Sequence, residues 1–420
     1  MANKNYISNE TRQAETHTIT VSGTPAAGDT VSLTINSKKV TYTAVTGDTT
    51  STIASGLLSA INQSPEGEFR QFGGQGQGAT ANVITLVAQL PGRPVTATGS
   101  GSLTIAATGS TTVAQALVYA NLSPADGSDV LNWQGGIVPA ATDSMYFENA
   151  TFPMLYNLTG YAALSFTALY VRPTFSGSGI GLPAFAPEGY REYRGGRLVM
   201  TACPILRVEL PPGAGPSSFR FNTGGVASAV YVSGNGNPGN GNEQVDWIGT
   251  SGSSTVEVLN AGISVATGFG ETALIDTIKA VGSAITLGSD VTVGVISMDS
   301  SSLVTRSNLP SVVMNNQSSV VIMEDATIGT MQLDSGTLVH MSSGNITSLY
   351  VGSGGVADFS QSRDPITITN VDVNEGGTLL DPYKRCTFTN SIGLPRTGGQ
   401  LTGLVTIDLG TNLRINRSNY

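Results

Sequence analysis

Five near-repeats between Val295 and Asp381 constrain the fold of this chain more than any other feature of its sequence. Each repeat has a short strand of alternating apolar and polar residues, a turn rich in Ser, Asp, Asn or Gly, and a second apolar strand. The five segments are VISMDSSSLV (Val295–Val304), VVMNNQSSVV (Val312–Val321), TMQLDSGTLV (Thr330–Val339), SLYVGSGGVA (Ser348–Ala357) and NVDVNEGGTLL (Asn370–Leu380). Near-periodic self-similarity of this kind is the sequence signature of a solenoid. Short strands with tight turns between them predict a parallel β-helix.

The apolar residue just before each turn marks the predicted core of this solenoid. In the five repeats these residues follow one another at steps of 16, 19, 18 and 22 residues. Two weaker repeats precede them, in Thr255–Val265 and Thr277–Leu287, so we predict about seven short coils. The predicted core residues are Val258, Val281, Met298, Met314, Leu333, Val351 and Val373. The alternative is a β-sandwich with turn signals every roughly 8–12 residues, but the shared order of strand, turn and strand favours the solenoid.

Composition and charge agree with a chain that is mainly β. Charged residues make up only 12% of the 420 residues, and Gly accounts for 52 of them, which suits strands and turns. The net charge of −9 argues against nucleic acid as a partner. With only two histidines (His17 and His340) and two cysteines (Cys203 and Cys386), we predict no enzyme activity, no metal site and no cofactor, and two reduced, buried thiols.

The chain is expected to divide into five parts. These are an N-terminal arm (1–15), a small α+β docking domain (16–113), a β-rich interface region with the start of the solenoid (114–250), the parallel β-helix (251–382) and a C-terminal cap (383–420). The first residues, MANKNYISNETRQ, lack the apolar core of a secretory signal, and no apolar run reaches the length of a membrane span. We therefore expect no membrane partner. A surface solenoid without an export signal can be made in the cytoplasm of a host cell and released by lysis, as virion proteins are, so we expect the chain to belong to a virion.

The docking domain is predicted from a hairpin followed by an amphipathic helix. The helix, Thr50–Ser64, places Ile53, Leu57, Leu58 and Ile61 on one face. The stretch GDTVSLTINSKKVTYTAVTGDTTSTIASGLLSAIN resembles a small domain that recurs in structural proteins of tailed bacteriophages. The resemblance covers about a quarter of the chain, and it implies a structural or docking module without chemistry of its own.

A second resemblance concerns the start of the solenoid. In NWQGGIVPAATDSMYFENA, the residues Trp133, Pro139, Asp143 and Phe147 resemble a phrase that often begins β-helical passengers and β-helical phage proteins. Trp133 would then cap the open end of the apolar column, and Gly135-Gly136 would allow a tight turn. The alternative is an ordinary aromatic core residue next to a turn.

One segment concentrates the aromatic and basic residues of the chain. It contains Tyr170, Arg172, Tyr190, Arg191, Tyr193, Arg194 and Arg197. Tyr and Arg are enriched at the anchors of protein interfaces, so we predict a protein–protein contact surface here. The alternatives are a solvated loop and a site for anionic glycan.

Together these features predict a bacteriophage virion structural protein, and we favour a capsid decoration (cement) protein. Its partners would be the major capsid protein or other virion proteins, and other copies of the chain in a homotrimer. The alternative is a tail spike or tail fibre protein that binds host surface glycan, and in one version cleaves it with carboxylates such as Asp358 and Asp372. A secreted adhesin is disfavoured by the missing signal.

Overall fold

The structure, a computed structural model, describes residues 2–7, 16–35, 37–70, 72, 78–87, 97–102, 104–109, 127–128, 130–155, 158–177, 179–182, 196–234, 236–390, 392–394, 396–397, 400–401 and 406–408. Its α-helices are α1 (Thr50–Gln63) and α2 (Gly67–Arg70), and its 3-10 helices are Val130–Asn132 and Leu158–Tyr161. The strands of the N-terminal part are β1 (Asn3–Tyr6), β2 (Thr16–Ser22), β3 (Thr30–Ile35), β4 (Lys38–Thr43), β5 (Gly78–Thr80), β6 (Val83–Val87), β7 (Ala97–Gly101) and β8 (Thr104–Gly109).

The remaining strands follow in two groups. The first group is β9 (Ser144–Phe147), β10 (Ala168–Val171), β11 (Leu198–Val199), β12 (Ile205–Glu209), β13 (Phe219–Asn222), β14 (Ala229–Ser233), β15 (Val245–Ile248), β16 (Thr255–Leu259), β17 (Gly262–Val265), β18 (Ala273–Val281), β19 (Ala284–Leu287), β20 (Val291–Asp299) and β21 (Ser302–Thr305). The second group is β22 (Leu309–Asn315), β23 (Ser318–Ile322), β24 (Ile328–Leu333), β25 (Gly336–His340), β26 (Ile346–Val351), β27 (Gly355–Asp358), β28 (Ile366–Val373), β29 (Thr378–Leu380), β30 (Cys386–Phe388), β31 (Arg396–Thr397), β32 (Gln400–Leu401) and β33 (Thr406–Asp408).

Two long parallel sheets form a β-solenoid over residues 144–388. The first sheet has 13 strands in the order β1-β9-β10-β12-β14-β16-β18-β20-β22-β24-β26-β28-β30. The second has 11 strands in the order β11-β13-β15-β17-β19-β21-β23-β25-β27-β29-β33. From β12 to β29 the chain alternates between the two sheets, so each coil adds one strand to each of them. The predicted parallel β-helix and the mainly β class are confirmed.

The coil count was underestimated, because the solenoid has about 11 turns rather than seven. The extra coils lie in the region predicted to be a β-rich interface. Their turns are longer and less regular, as in the segment Gly234–Gln244 between β14 and β15, and their core contains aromatic residues such as Phe219 and Trp247. Both features hide the repeat from a search that relies on turns of constant length.

A continuous column of inward side chains, which we call the core column, runs along the first sheet. The register places one residue from each of its strands from β1 to β28 directly on the next: Tyr6, Phe147, Val171, Val208, Val232, Val258, Ala280, Met298, Met314, Leu333, Val351 and Val373. Each of these side chains is at most 1% exposed. The column contains six of the seven predicted core residues.

Val281 is the exception, and its assignment to the core is wrong by one residue. Val281 is 47% exposed, and its neighbour Ala280 occupies the column between Val258 and Met298. Strand β18 ends with two apolar residues in succession. Because side chains alternate across a strand, only one of them can point inward, and the rule of the last apolar residue before the turn selects the wrong one.

The N-terminal strand forms one end of the solenoid. β1 pairs in parallel with β9, so Tyr6 lies next to Phe147. Trp133 forms an antiparallel bridge with Tyr6, is fully buried, and donates its indole N–H to the carbonyl of Gly127 at 2.8 Å. Its ring centroid is 5.4 Å from that of Tyr6. Trp133 therefore covers the first coil, in the position that its sequence context suggested.

The turn after Trp133 has the backbone expected of adjacent glycines, since Gly135 and Gly136 have φ angles of 80° and 67°. Asp143 connects the N-terminal residues to the segment that precedes β9. One of its carboxylate oxygens accepts the backbone N–H of Ala2 at 2.8 Å, and the other accepts that of Ala140 at 3.1 Å.

The small α+β domain is inserted between the first two strands of the solenoid. It consists of the sheets β5-β6-β2-β8 and β4-β3-β7 with helix α1, and it has its own core, which includes Leu33, Ile53 and Leu57. Thr49 caps α1, because its side chain accepts the N–H of Thr52 while the Thr52 hydroxyl accepts that of Thr49.

Candidate functional site

A stripe of aromatic and basic side chains lies on the outer face of the first sheet. Tyr146, Tyr170, Arg207 and Tyr231 occupy the same position in four successive coils, one residue before the core column. Because side chains alternate across a strand, all four point away from the core. The rings of Tyr146 and Tyr170 are stacked, with centroids 4.8 Å apart, and the Arg207 guanidinium lies 4.5 Å from the centroid of Tyr231. We call these four residues the Tyr–Arg ladder.

Arg172 and Glu209 flank the ladder. The Arg172 guanidinium lies 5.1 Å from the Tyr170 centroid and donates to both carboxylate oxygens of Glu209, at 3.1 and 3.2 Å. Arg207 donates its Nε–H to Glu209 at 2.7 Å. Burial alone would raise the pKa of Glu209, but hydrogen bonds from Arg207 and Arg172 lower it below the usual range. The carboxylate thus stays ionised and fixes two guanidinium groups against tyrosine rings.

The predicted contact residues have different locations. Tyr170 belongs to the Tyr–Arg ladder, and Arg172 lies beside it. Arg197 does not join them, because its side chain is only 14% exposed within an ion-pair network. The other four predicted residues lie outside the described part of the chain: Tyr190, Arg191, Tyr193 and Arg194.

Sequence reasoning missed three residues that complete the surface: Tyr146, Arg207 and Tyr231. They are spread over the irregular early coils, and only the coil register brings them together. The alternation of inward and outward residues along each strand was the signal that could have found them, because each of the three precedes an inward core residue by one position.

Arg197 is the centre of a half-buried charge network on the second sheet. Its guanidinium donates to both carboxylate oxygens of Asp246, at 2.8 and 2.7 Å, and to Glu271 at 2.5 and 2.9 Å. Asp246 also accepts the Nε–H of Arg220 at 2.9 Å, and Arg220 donates to the carbonyl of Leu182. Burial alone would lower the pKa of Arg197, but the two carboxylates raise it above the usual value. This network joins strands β13 and β15 to the loop that contains Glu271.

A shallow groove lies at the C-terminal end of the first sheet, on its outer face. Its volume is about 290 Å³, and it is lined by Thr330, Ser348, Leu349, Tyr350, Asn370, Val371, Asp372 and Asn390. Asn390 donates to the side chain of Asn370 at 2.7 Å, and Asn370 donates to the Ser348 hydroxyl at 3.3 Å. The groove therefore offers amides, a hydroxyl, one tyrosine ring and the exposed carboxylate of Asp372.

The two carboxylates considered for glycan cleavage do not share a face. Asp372 lies on β28 of the first sheet, next to Tyr350 in the register. Asp358 lies on β27 of the second sheet and accepts the backbone N–H of Ser360 at 2.8 Å. The two catalytic carboxyl groups of a glycosidase lie on either side of the glycosidic bond that is cleaved, roughly 5–10 Å from each other. Because Asp358 and Asp372 point outward from different sheets, they do not form such a pair.

The cysteines are free thiols, but they differ in burial. Cys203 is fully buried, which raises the pKa of its thiol to about 12. Cys386 is half-buried, and burial followed by the nearby Asp381 carboxylate also raises its pKa. Neither thiol is therefore a ready nucleophile at neutral pH.

Comparison with known proteins gives no match, either to a protein-family model or to a curated protein. Within the described residues, no group of three or more His, Cys, Asp or Glu side chains is arranged to bind a metal ion. The helices described are too short or too polar to span a membrane.

Proposed function

We propose that this chain is a structural protein of a tailed-bacteriophage virion, and that it decorates the capsid. The observation that carries the proposal is the continuous core column from Tyr6 to Val373, which makes the solenoid one packed unit. With 13 strands in the first sheet and a spacing of about 4.8 Å between neighbouring strands, the rod is about 58 Å long. A rod of this kind is suited to projection from a surface and to mechanical load.

In this proposal the small domain is the attachment module. Its core is separate from that of the solenoid, and both of its chain connections lead to the first coils. Attachment through this domain would bury surface across neighbouring capsid subunits, and so would resist the internal pressure of packaged DNA. The resemblance of its hairpin and helix to a recurrent phage domain supports this assignment.

The partners follow from the surface chemistry. The Tyr–Arg ladder and the neighbouring Arg172 together offer stacked tyrosine rings and two guanidinium groups on the outer face of the first sheet, which suits a protein interface. We propose that it contacts the major capsid protein or another virion protein, and that the chain forms a homotrimer. The net charge of −9 disfavours nucleic acid as a partner.

Copy number per particle tests the proposal. Quantitative mass spectrometry of purified virions would compare peptides of this chain with peptides of the major capsid protein. A decoration protein should be present in hundreds of copies and should remain on DNA-filled heads that lack tails. Complete absence from purified virions would contradict the proposal.

The groove around Tyr350 and Asp372 favours one alternative, a tail spike or tail fibre that binds host surface glycan. Its amides, its hydroxyl and its single carboxylate can all bond to sugar hydroxyls, and Tyr350 offers an aromatic ring. This alternative predicts a copy number in small multiples of three. Binding of host polysaccharide, measured by calorimetry, should fall at least tenfold in Asp372→Asn and remain unchanged in Asp358→Asn. Equal binding by both variants would exclude the groove as the glycan site.

A further inference from the structure

The guanidinium of Arg207 has hydrogen-bond donors that the chain itself does not use. Its Nε–H donates to Glu209 at 2.7 Å, and among the described residues neither of its two terminal nitrogens has a hydrogen-bond partner. The side chain is 44% exposed. The two terminal nitrogens of an arginine form a planar fork that matches the two oxygens of a carboxylate. We call this pair of nitrogens the Arg207 fork, and it can bind an anionic group on the outer face of the first sheet.

The Arg207 fork is held in one orientation. The Glu209 carboxylate fixes Nε, and the guanidinium lies 4.5 Å from the centroid of the Tyr231 ring. Glu209 also binds Arg172, so these three side chains carry one positive charge that they do not neutralise among themselves. Arg306 has a similar Nε ion pair, with Glu324, but no described aromatic ring lies under its guanidinium. Because preorganisation reduces the entropy lost on binding, Arg207 should bind an anion more tightly than Arg306 does.

The groups around the fork can donate further hydrogen bonds. Within the part of the chain that the structure describes, the hydroxyls of Tyr146, Tyr170 and Tyr231 have no hydrogen-bond partner. The other carboxylates that the register brings to this face, Glu148 and Glu257, are each two strands from β12, which is about 10 Å. A ligand that carries a carboxylate and further acceptors therefore fits this surface.

The surroundings favour a protein over a glycan as the source of that carboxylate. Tyr146 and Tyr170 stack on each other, and Arg207 covers one face of Tyr231, so the ladder offers mainly ring edges, whereas a sugar ring packs its C–H groups against an open ring face. Ile205 lies two residues before Arg207 on the same face of the sheet and is 40% exposed. An apolar side chain next to an arginine and tyrosines is typical of a protein interface.

We propose that the Arg207 fork binds a Glu or Asp carboxylate in an acidic segment of another virion protein. The two terminal nitrogens donate to the two carboxylate oxygens, the tyrosine hydroxyls donate to further acceptors of the segment, and an apolar side chain of the segment packs on Ile205. This inference rests on the proposed function, in which the Tyr–Arg ladder contacts another virion protein, and it specifies the chemistry of that partner.

The test measures binding of a fluorescent peptide of alternating Glu and Ala to the full chain by fluorescence anisotropy at low ionic strength. The wild type should bind this peptide saturably, and should bind a peptide of alternating Gln and Ala at least about tenfold more weakly. Arg207→Gln should weaken binding of the Glu peptide by about tenfold or more. Arg207→Lys keeps the charge but lacks the fork, and should weaken binding by about threefold or more.

Arg306→Gln is the matched control. Its guanidinium is 37% exposed and has an Nε ion pair like that of Arg207, so a change of less than about twofold is expected. Circular dichroism would verify that each variant retains its fold. The second probe is an oligogalacturonate with the same number of carboxylates as the Glu peptide, and the wild type should bind it more weakly than the peptide.

Four results would overturn the inference. They are the absence of saturable binding of the Glu peptide, full binding by Arg207→Lys, an equal loss in Arg306→Gln and Arg207→Gln, and tighter binding of the oligogalacturonate, which would assign the site to an anionic glycan. The copy number per virion tests the proposed function separately. A chain present in hundreds of copies that does not bind the Glu peptide would retain the proposed function and lose this inference.

Discussion

Tyr6 packs against Phe147 with ring centroids 5.3 Å apart, although the whole small domain lies between them in the chain. The Tyr6 hydroxyl donates to the carbonyl of Pro153 at 3.1 Å, and Trp133 lies against the same ring. The N-terminal residues are thus the first layer of the solenoid core.

Truncation of Tyr6 should therefore destabilise the solenoid. Loss of a buried aromatic ring typically costs about 3–5 kcal/mol, so Tyr6→Ala should lower the free energy of unfolding by a comparable amount. Ile7→Ala is the matched control, since Ile7 is exposed and should change stability by less than about 0.5 kcal/mol. Urea denaturation followed by tryptophan fluorescence would measure both. Equal stability of the two variants would show that β1 does not contribute to the core.

Two adjacent residues at the end of β18 test the core column directly, because Ala280 points into the column and Val281 points outward. Ala280→Asp places a charge between Val258 and Met298 and should cost several kcal/mol or prevent folding. Val281→Asp places the same charge on the outer face, beside Asp299 in the register, where a cost of about 1 kcal/mol or less is expected. The yield of soluble protein and its thermal unfolding distinguish the two. If Val281→Asp were the damaging variant, the register described here would be wrong.

Arg197 should be far more important to stability than the exposed arginines. Removing one partner of a buried ion pair costs about 3–5 kcal/mol, because the other charges remain buried. Arg197→Ala leaves Glu271 without an arginine partner, while Asp246 keeps its ion pair with Arg220. We therefore expect a cost at the lower end of this range, about 3 kcal/mol. Arg306→Ala breaks an ion pair with Glu324 in which both side chains are more than a third exposed, and should cost about 1 kcal/mol or less.

Denaturant midpoints of these two arginine variants, measured under identical conditions, would test the difference. A small effect of Arg197→Ala would mean that water reaches the network.

The solenoid should lose stability in mild acid because of His340. This side chain is fully buried beside Phe359, its Nδ1 lies 3.3 Å from the Ser362 hydroxyl, and burial lowers its pKa to about 4. An unfolded histidine has a pKa near 6.5, so the unfolded state binds the proton more tightly. The stabilisation is complete above about pH 6.5, falls as the pH decreases towards 4, and levels off below that value, with a total loss of about 3 kcal/mol.

A comparison with His340→Leu isolates this contribution from the carboxylates that titrate in the same range. The difference in unfolding free energy between wild type and variant should change between pH 7 and pH 4. A constant difference would show that His340 does not titrate in this window.

The sequence predicted the coils that have short, regular turns. Met298, Met314, Leu333 and Val351 were identifiable because each is followed by a polar turn of similar length. In the earlier coils the turns grow, and a search by periodicity fails although the register continues without a break.

Surface sites were harder to predict than the core for a physical reason. The partners of Arg197 are 49 and 74 residues away in the chain, and the Tyr–Arg ladder combines residues from four coils. Apolar side chains reveal an inward position by their chemistry alone, whereas an outward residue acquires its neighbours only once the stacking order is known. The aromatic and basic segment was therefore visible, but the separation of Arg197 from Tyr170 and Arg172 was not.

The insertion of the small domain between β1 and β9 has an evolutionary consequence. Its first and last strands, β2 and β8, are antiparallel neighbours, and His17 pairs with Gly109. The domain therefore begins and ends at adjacent points, and to the rest of the chain it is equivalent to one long loop. Such a cassette can be exchanged by recombination without a change of register in any coil, so that evolution can replace the whole domain while keeping the same rod.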